Sequence, residues 1–470
     1  METITGFVEG TGAALAGAVF SSFAVFGVEV QFIVLWLFAA MVFFTIRLGF
    51  LNIRGFATGW RVLAGRYSDP DAPGEISPFQ ALSTALASTV GLGNIAGVAI
   101  AIAMGGPGAA FWMIIIGFFA MSLKYAEVTL AVRYRVINPD GTVSGGPMWY
   151  LSRGLKERGL PLLGKILATA YALFALFAFV QVIQVNQSYA QLSEVAGIER
   201  GTGWALVYGL VIAAVAALVL IGGVRSIGKV TAALTPMMCA LYIAGVLVVL
   251  GVNLPAVPGA LLTMVQDAFS ADAAAGGIAG SFVAGMRRAA YSNEAGIGSA
   301  SIAHAAVKTH HPASQGFVAL IEPFIDTVVI CAATALVIIT TGVWDDGYSD
   351  IAMTSAAFGT VSSWFPYVLA GAVSLFAFST ILAAGYYSLQ VIDYFSRHSI
   401  WMKRIYLCFF CGLLPIGAIV DVTTVTNLID SLFFMLSIPN LIGLYLMHRI
   451  VSDETAVFRA SLREGVTRPD

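Results

Sequence analysis

Apolar positions along the chain gather into eleven runs, near 30–50, 79–104, 108–133, 163–190, 203–222, 230–252, 278–303, 316–342, 365–394, 400–420 and 425–448. A helix crossing a hydrocarbon core of ~30 Å needs about 20 such residues. The pattern therefore predicts an all-α polytopic membrane protein with 11 transmembrane helices. A further apolar stretch, 11–28, is rich in Gly, Ala and Ser and is separated from the first run by Glu29; it reads as a short helix at the membrane face. The connections 51–78 and 134–162 are too short for a separate core. They read as amphipathic surface helices, with turns at Pro139-Asp140-Gly141 and Gly145-Gly146-Pro147. No short-period repeat is present.

Composition agrees: 59% of the 470 residues are hydrophobic and 11% charged, against roughly 25% charged in soluble domains. The net charge of −2 gives no sign of a nucleic-acid partner. Cys239, Cys331, Cys408 and Cys411 all lie in apolar stretches and read as packed thiols. The N-terminal ten residues carry two glutamates and no basic residue, unlike a cleaved signal peptide. With the N-terminus outside, 20 of the 24 Lys and Arg fall on the inner side, Arg397 and Arg468 among them, while Arg200, Arg287 and Arg288 fall outside and Lys124 within a helix. That bias predicts N-out, C-in insertion in the plasma (inner) membrane.

Two runs are interrupted at mid-depth: Ser88-Thr89-Val90-Gly91-Leu92-Gly93-Asn94-Ile95-Ala96-Gly97 and Ser292-Asn293-Glu294-Ala295-Gly296-Ile297-Gly298-Ser299. Glycines alone serve close helix packing, but that does not call for Asn and Glu beside them. Backbone released from a helix in lipid survives where it faces a protein cavity or an ion. With the first helix set aside, the breaks occupy core helices 1 and 6 of ten, and the odd spacing of five inverts one half against the other. This is the plan of inverted-repeat transporters, whose half-helix ends offer N–H groups to a carboxylate and carbonyls to an ammonium or Na⁺. The chain then divides into 1–29, a membrane-surface segment; 30–78, the extra helix and linker; 79–252 and 278–448, two five-helix repeats; and 449–470, a cytoplasmic tail.

Gly93-Asn94-Ile95-Ala96-Gly97-Val98-Ala99, followed by Gly105-Gly106-Pro107-Gly108-Ala109-Ala110-Phe111-Trp112-Met113, resembles the signature of the alanine-or-glycine:cation symporter family. Lys124-Tyr125-Ala126-Glu127, Ser292-Asn293-Glu294-Ala295-Gly296, Ile302-Ala303-His304-Ala305-Ala306 and Glu322-Pro323-Phe324-Ile325-Asp326-Thr327 agree with it. The resemblance runs from about 30 to 450. It implies a LeuT-type 5+5 inverted repeat with one additional N-terminal helix, and uptake of alanine or glycine driven by Na⁺, or in some members H⁺. Val90-Gly91-Leu92-Gly93-Asn94 also resembles the first broken helix of neurotransmitter:sodium symporters. One departure is the absence of a Gly-Glu pair after the helix 8 hydroxyls, where this chain reads Ala384-Gly385-Tyr386-Tyr387-Ser388-Leu389-Gln390.

For sodium, the resemblance implies Ala87, Val90, Ser379 and Thr380. Hydroxyls in membrane helices also bond back to their own i−4 carbonyls, which is the plainer use of Ser379 and Thr380. For substrate it implies Thr89, Gly91, Leu92, Gly93, Asn94, Gln184, Tyr291, Ser292 and Asn293. A Gln-x-Asn pattern maps onto Gln184 and Asn186, while Gln187 and Ser188 read as partly hydrated near the interface. Tyr291 stands where an aromatic, usually Phe, would close the pocket, and packing alone would also suit it. Glu294 reads as a structural acceptor for freed amides or, more sharply, as a proton-coupling carboxylate. Lys124 with Glu127 and Glu322 with Asp326 read as buried structural or gating groups; His304, His310 and His311 read as solvated. No cofactor is expected beyond Na⁺ as coupling ion. The expected partners are alanine or glycine, Na⁺ and the lipid bilayer, for a monomer. No nucleophile–base pair, phosphate loop or metal cluster supports an enzyme; an H⁺-coupled symporter, and a channel or sensor of the same fold, are the alternatives.

Overall fold

Ser77 and Gln80 close the first turn of Pro78–Thr89 reciprocally: Ser77 Oγ accepts from the Gln80 amide (3.2 Å), and Gln80 Oε1 accepts from the Ser77 amide (3.0 Å). The helix stops at Thr89, and Leu92–Gly105 resumes at an angle of 43° to it. Gly106, at φ +72°, then turns the chain into Pro107–Arg133. The computed structural model describes residues 2–25, 28–197, 201–270, 277–348, 350–396, 398–420 and 423–464. Arg200, Arg397 and Arg468, used in the charge count, lie outside them.

Among the described residues eight helices are long and apolar enough to cross a bilayer, nine with the bent pair. Besides the bent pair, two expected spans do not reach spanning length as one helix among the described residues. Phe32–Arg47 has 16 residues, and the run 278–303 is divided into Gly277–Asn293 and Ser299–Ala305. Pro107–Arg133 and Pro366–Ser396 form the centre and are buried along most of their length. Thr202–Leu220 and Ile400–Ile419 lie at the rim, where Leu218, Trp401 and Ile405 are exposed. Such a surface is the solvated side in lipid. The protein is a multi-pass membrane protein.

Several elements depart from the sequence reading. The stretch 11–28 is not one helix: Glu2–Val19 is helical, and Ser22–Val25 pairs antiparallel with Val28–Gln31. The run 163–190 breaks into Pro161–Ala178 and Val182–Ala196; no Gly or Pro marks this break. The last helix, Ser437–Glu464, continues past 448 because Thr455 and Phe458 pack inward, Thr455 Oγ1 against Tyr125 OH at 2.7 Å. The connection 134–162 holds a small hairpin, Val136–Ile137 with Val143–Ser144, turned at Asp140-Gly141, and the helix Pro147–Glu157, whose Met148, Tyr150 and Leu151 are buried. Eight residues, Phe324–Cys331, wind as a π-helix, a form concentrated at functional sites.

His304 is a correction. It is fully buried, because Ser299–Ala305 resumes inward after the break, and its Nε2 lies 3.5 Å from Glu322 while Nδ1 pairs with Gln315 Nε2 at 2.6 Å. Glu322 also holds the buried Lys124 at 3.0 Å, a bridge between helices. His310 is exposed beside Asp69.

Candidate functional site

In the first break the Gly91 amide is freed from the ladder, and Asn94 Oδ1 takes it at 2.8 Å. Gly91 is extended, φ −157°, so its value is spatial: a Cβ there would sit 3.2 Å from Thr380 Oγ1. Asn94 Nδ2 reaches across to the second break and the π-helix, lying 2.6 Å from Asp326 Oδ1 and 3.2 Å from Ser292 Oγ. Ser292 Oγ donates to Asp326 Oδ2 at 2.8 Å, and Thr327 Oγ1 to the same oxygen at 2.7 Å. One buried polar knot thus joins both breaks.

The second break is longer and more strained. Glu294 (φ +53°), Gly296 (+91°) and Gly298 (+88°) are left-handed, a conformation costing a non-glycine residue roughly 1–2 kcal/mol. Asn293 Oδ1 accepts from the Ala295 amide at 3.0 Å. Glu127 Oε1 accepts from the Gly296 amide at 2.9 Å and from Asn440 Nδ2 at 2.7 Å, and Asn440 also donates to the Gly296 carbonyl at 2.8 Å. The capture of a freed amide, read from sequence as a task of Glu294, is carried out here by Glu127. Glu294 instead accepts from Ser299 Oγ and, at 3.5 Å, from Ser88 Oγ.

A cavity of about 70 Å³ opens between the breaks. Thr89, Gly91, Leu92, Gly93, Gln184 and Tyr291 line it, with Glu294 and Thr380. Asn94, Ser292 and Asn293 do not; they stand behind the wall, Asn94 and Ser292 in the knot and Asn293 closing the second break. Gln184 Oε1 is buried without a partner among the described residues, an acceptor free for an ammonium group. Asn186 points elsewhere, donating to the carbonyls of Gly417 (3.1 Å) and Val420 (2.9 Å). Gln187 is exposed, but Ser188 is buried and accepts from Tyr208 OH at 2.9 Å. The Tyr291 ring packs against Phe433 and Phe434, and its hydroxyl donates to Asp430 Oδ1 at 3.1 Å.

Sequence reading missed Ser88, Phe179, Asp430 and Phe433 as lining residues, while Gln181 belongs to the polar cluster 181–188 that the sequence already sets in an apolar run. Asp430 carried a usable signal, a carboxylate inside an apolar span. Phe179 carried none, because its place follows from the unmarked break in the third core helix.

Beside the cavity, Ser379 Oγ and Thr380 Oγ1 both lie within hydrogen-bond reach of the Ala87 carbonyl, at 3.2 and 3.1 Å, and of Phe376 O on their own helix, at 2.8 and 3.0 Å. Each hydroxyl has a single proton to share between the cross-helix and the helical acceptor. Val90, fully buried, ends the same half-helix as Ala87. Carbonyl and hydroxyl oxygens are the donors a hard cation takes, and the half-helix C-terminus adds negative potential.

The fold is similar to that of MhsT in complex with L-phenylalanine, with a TM-score of 0.53 and 15% identity over 80% of this chain and 88% of that one. The chain is 38% identical to the sodium/alanine symporter AgcS of Methanococcus maripaludis, over 89% of this chain and 92% of the relative. It is 35% identical to the probable sodium/glutamine symporter GlnT of Bacillus subtilis, over 87% and 84%. The sodium:alanine symporter family profile matches residues 16–470. By this match and by the identity to these relatives, the chain belongs to the sodium:alanine symporter family and is a Na⁺-coupled amino-acid transporter.

Proposed function

We propose that this protein takes up alanine or glycine with Na⁺ by alternating access, as a LeuT-type bundle of 11 spans with N-out, C-in orientation. The observation that carries the reading is the convergence of two hydroxyls, Ser379 and Thr380, on the Ala87 carbonyl at the end of one half-helix. The amide end of the next half-helix, Leu92 and Gly93, lines the adjoining cavity. Sodium is taken by the Ala87 and Val90 carbonyls with Ser379 and Thr380, and the substrate carboxylate by the amides at Leu92 and Gly93. Gln184 accepts from the ammonium group. Tyr291, held by Asp430, bounds the space left for a side chain. A cavity of about 70 Å³, well below the roughly 300–1,000 Å³ of clefts that hold drug-sized ligands, suits a solute of few non-hydrogen atoms.

H⁺ is the second reading, favoured by one observation: Glu294, strained and in reach of two hydroxyls, lines the same cavity. Uptake of labelled alanine and glycine into proteoliposomes separates the two. Uptake requiring an inward Na⁺ gradient, with the Na⁺ dependence moving to higher concentration in Ser379→Ala and Thr380→Val, is the expected result. Uptake following only a proton gradient and lost in Glu294→Gln would replace Na⁺ by H⁺.

A further inference from the structure

A second cavity, about 980 Å³, lies behind the substrate cavity and is walled by apolar side chains of four spans. Phe177 and Val180 come from the broken third core helix, Ile392 from Pro366–Ser396, Phe409 and Leu413 from Ile400–Ile419, and Ile429 and Leu432 from Thr423–Met435. The wall runs from Met402 to Ile416 along one helix, about 21 Å at 1.5 Å per residue. Its rim residues Phe177, Ile405, Phe409 and Ile416 are more than half exposed. All belong to helices of membrane-spanning length, so the groove continues the lipid-facing surface and opens into hydrocarbon. Water does not fill an apolar space of this kind, and an unfilled one forfeits the dispersion contacts of its lining. The length exceeds the ~15 Å of one leaflet, matching one extended chain.

Val180 and Ile429 line both cavities. Val180 lies in the break between Pro161–Ala178 and Val182–Ala196, so whatever fills the groove rests on a joint of the substrate cavity's wall.

We propose that this groove binds a single phospholipid acyl chain, and that the chain, backing Val180 and Ile429, acts as a yielding filler that lets the broken third core helix move during transport. The second half rests on the substrate cavity assigned above; the first does not. The intact protein in phosphatidylcholine vesicles is photolabelled with a phosphatidylcholine carrying a diazirine in its acyl chain, and labelled residues are mapped by mass spectrometry. Labelling concentrates on Phe409, Leu413 and Ile429, several-fold above the rim residues Leu218 and Leu247, and is lost in Leu413→Trp, which fills the groove. Labelling spread evenly over all lipid-facing residues overturns the site. In the same vesicles L413W lowers the maximal uptake rate several-fold at unchanged KM, whereas L413A, which leaves the groove open, keeps the parental rate. Unchanged uptake in L413W, or no uptake by the parent, overturns the coupling while the labelling still decides the site. L413F serves where L413W does not fold.

Discussion

The two broken spans solve the same problem by different means. The first break is closed largely by its own sequence: Asn94, three residues on, takes the Gly91 amide, and no residue in it is left-handed. The second has three left-handed residues and borrows its partners, Glu127 from Pro107–Arg133 and Asn440 from Ser437–Glu464. A local cap can form as soon as the helix does. A borrowed one exists only when three spans are packed, so the second break is the more dependent on tertiary structure. At one end the two are tied together: the Glu75 amide donates to Ala306 O at 2.8 Å, and the Lys308 amide to Ile76 O at 2.8 Å. The Arg135 guanidinium lies across the joint, donating to Pro73 O (2.7 Å) and Thr309 O (2.8 Å); burial lowers its pKa to about 10, still leaving it charged at neutral pH.

The largest expected effect in this contrast is at Gly296. A Cβ there would sit 2.4 Å from Leu37 Cδ2 at φ +91°. Gly296→Ala therefore combines left-handed strain of about 1–2 kcal/mol with overpacking of about 1–3 kcal/mol. Its thermal unfolding in detergent should show a large fall in Tm, and a Tm equal to the parent's would contradict the packing described.

Next comes Glu127→Leu, which strands the Gly296 amide at about 1–3 kcal/mol. Unfolding should show it, with partial recovery in Glu127→Gln, whose carbonyl still accepts. Asn94→Leu should cost less through its cap, about 0.5–2 kcal/mol, while abolishing uptake because the link to Ser292 and Asp326 goes with it. Equal stability losses in the Glu127 and Asn94 variants, with uptake retained in the latter, would erase the distinction between local and borrowed closure.

The smallest effect is at Glu75, beside the joint between the spans. Burial raises its carboxyl above the ordinary range, opposed by the Val143 amide and by Arg225. A carboxyl whose folded pKa is raised stabilises the fold below its unfolded pKa, and that contribution is lost as pH rises through the folded value. Glu75→Gln avoids the charge, so its Tm relative to the parent should rise between pH about 4 and pH about 7. A difference constant across that range would show that Glu75 is not held back from ionising.

Much of this was legible in advance for physical reasons. Apolar runs long enough to span lipid have one solution, the helix, because unpaired backbone is intolerable there. Glycines beside Asn and Glu marked the breaks at 88–97 and 292–299 for the same reason. The placing of Thr89 and Gly91 to Gly93 at one cavity follows from those two facts, whereas Gln184 and Tyr291, which line the same cavity, were implied by the resemblance to the symporter family. Asn94, implied as a substrate residue, stands behind the wall, since whether an amide faces a cavity or another helix depends on rotation about the axis.

What the sequence by itself determined is the membrane as solvent, the number and rough place of the apolar runs, and where two helices must open. What only the tertiary structure decided is which distant group receives each freed amide and which buried charges meet. Glu127 serves Gly296, Lys124 and His304 share Glu322, and a third helix breaks at Phe179–Gln181, with Gln181 in the lining of the same cavity as Asp430. The reason is that periodicity and composition act within a helix, whereas desolvated polar groups are satisfied between helices, by partners up to several hundred residues away that no local pattern names.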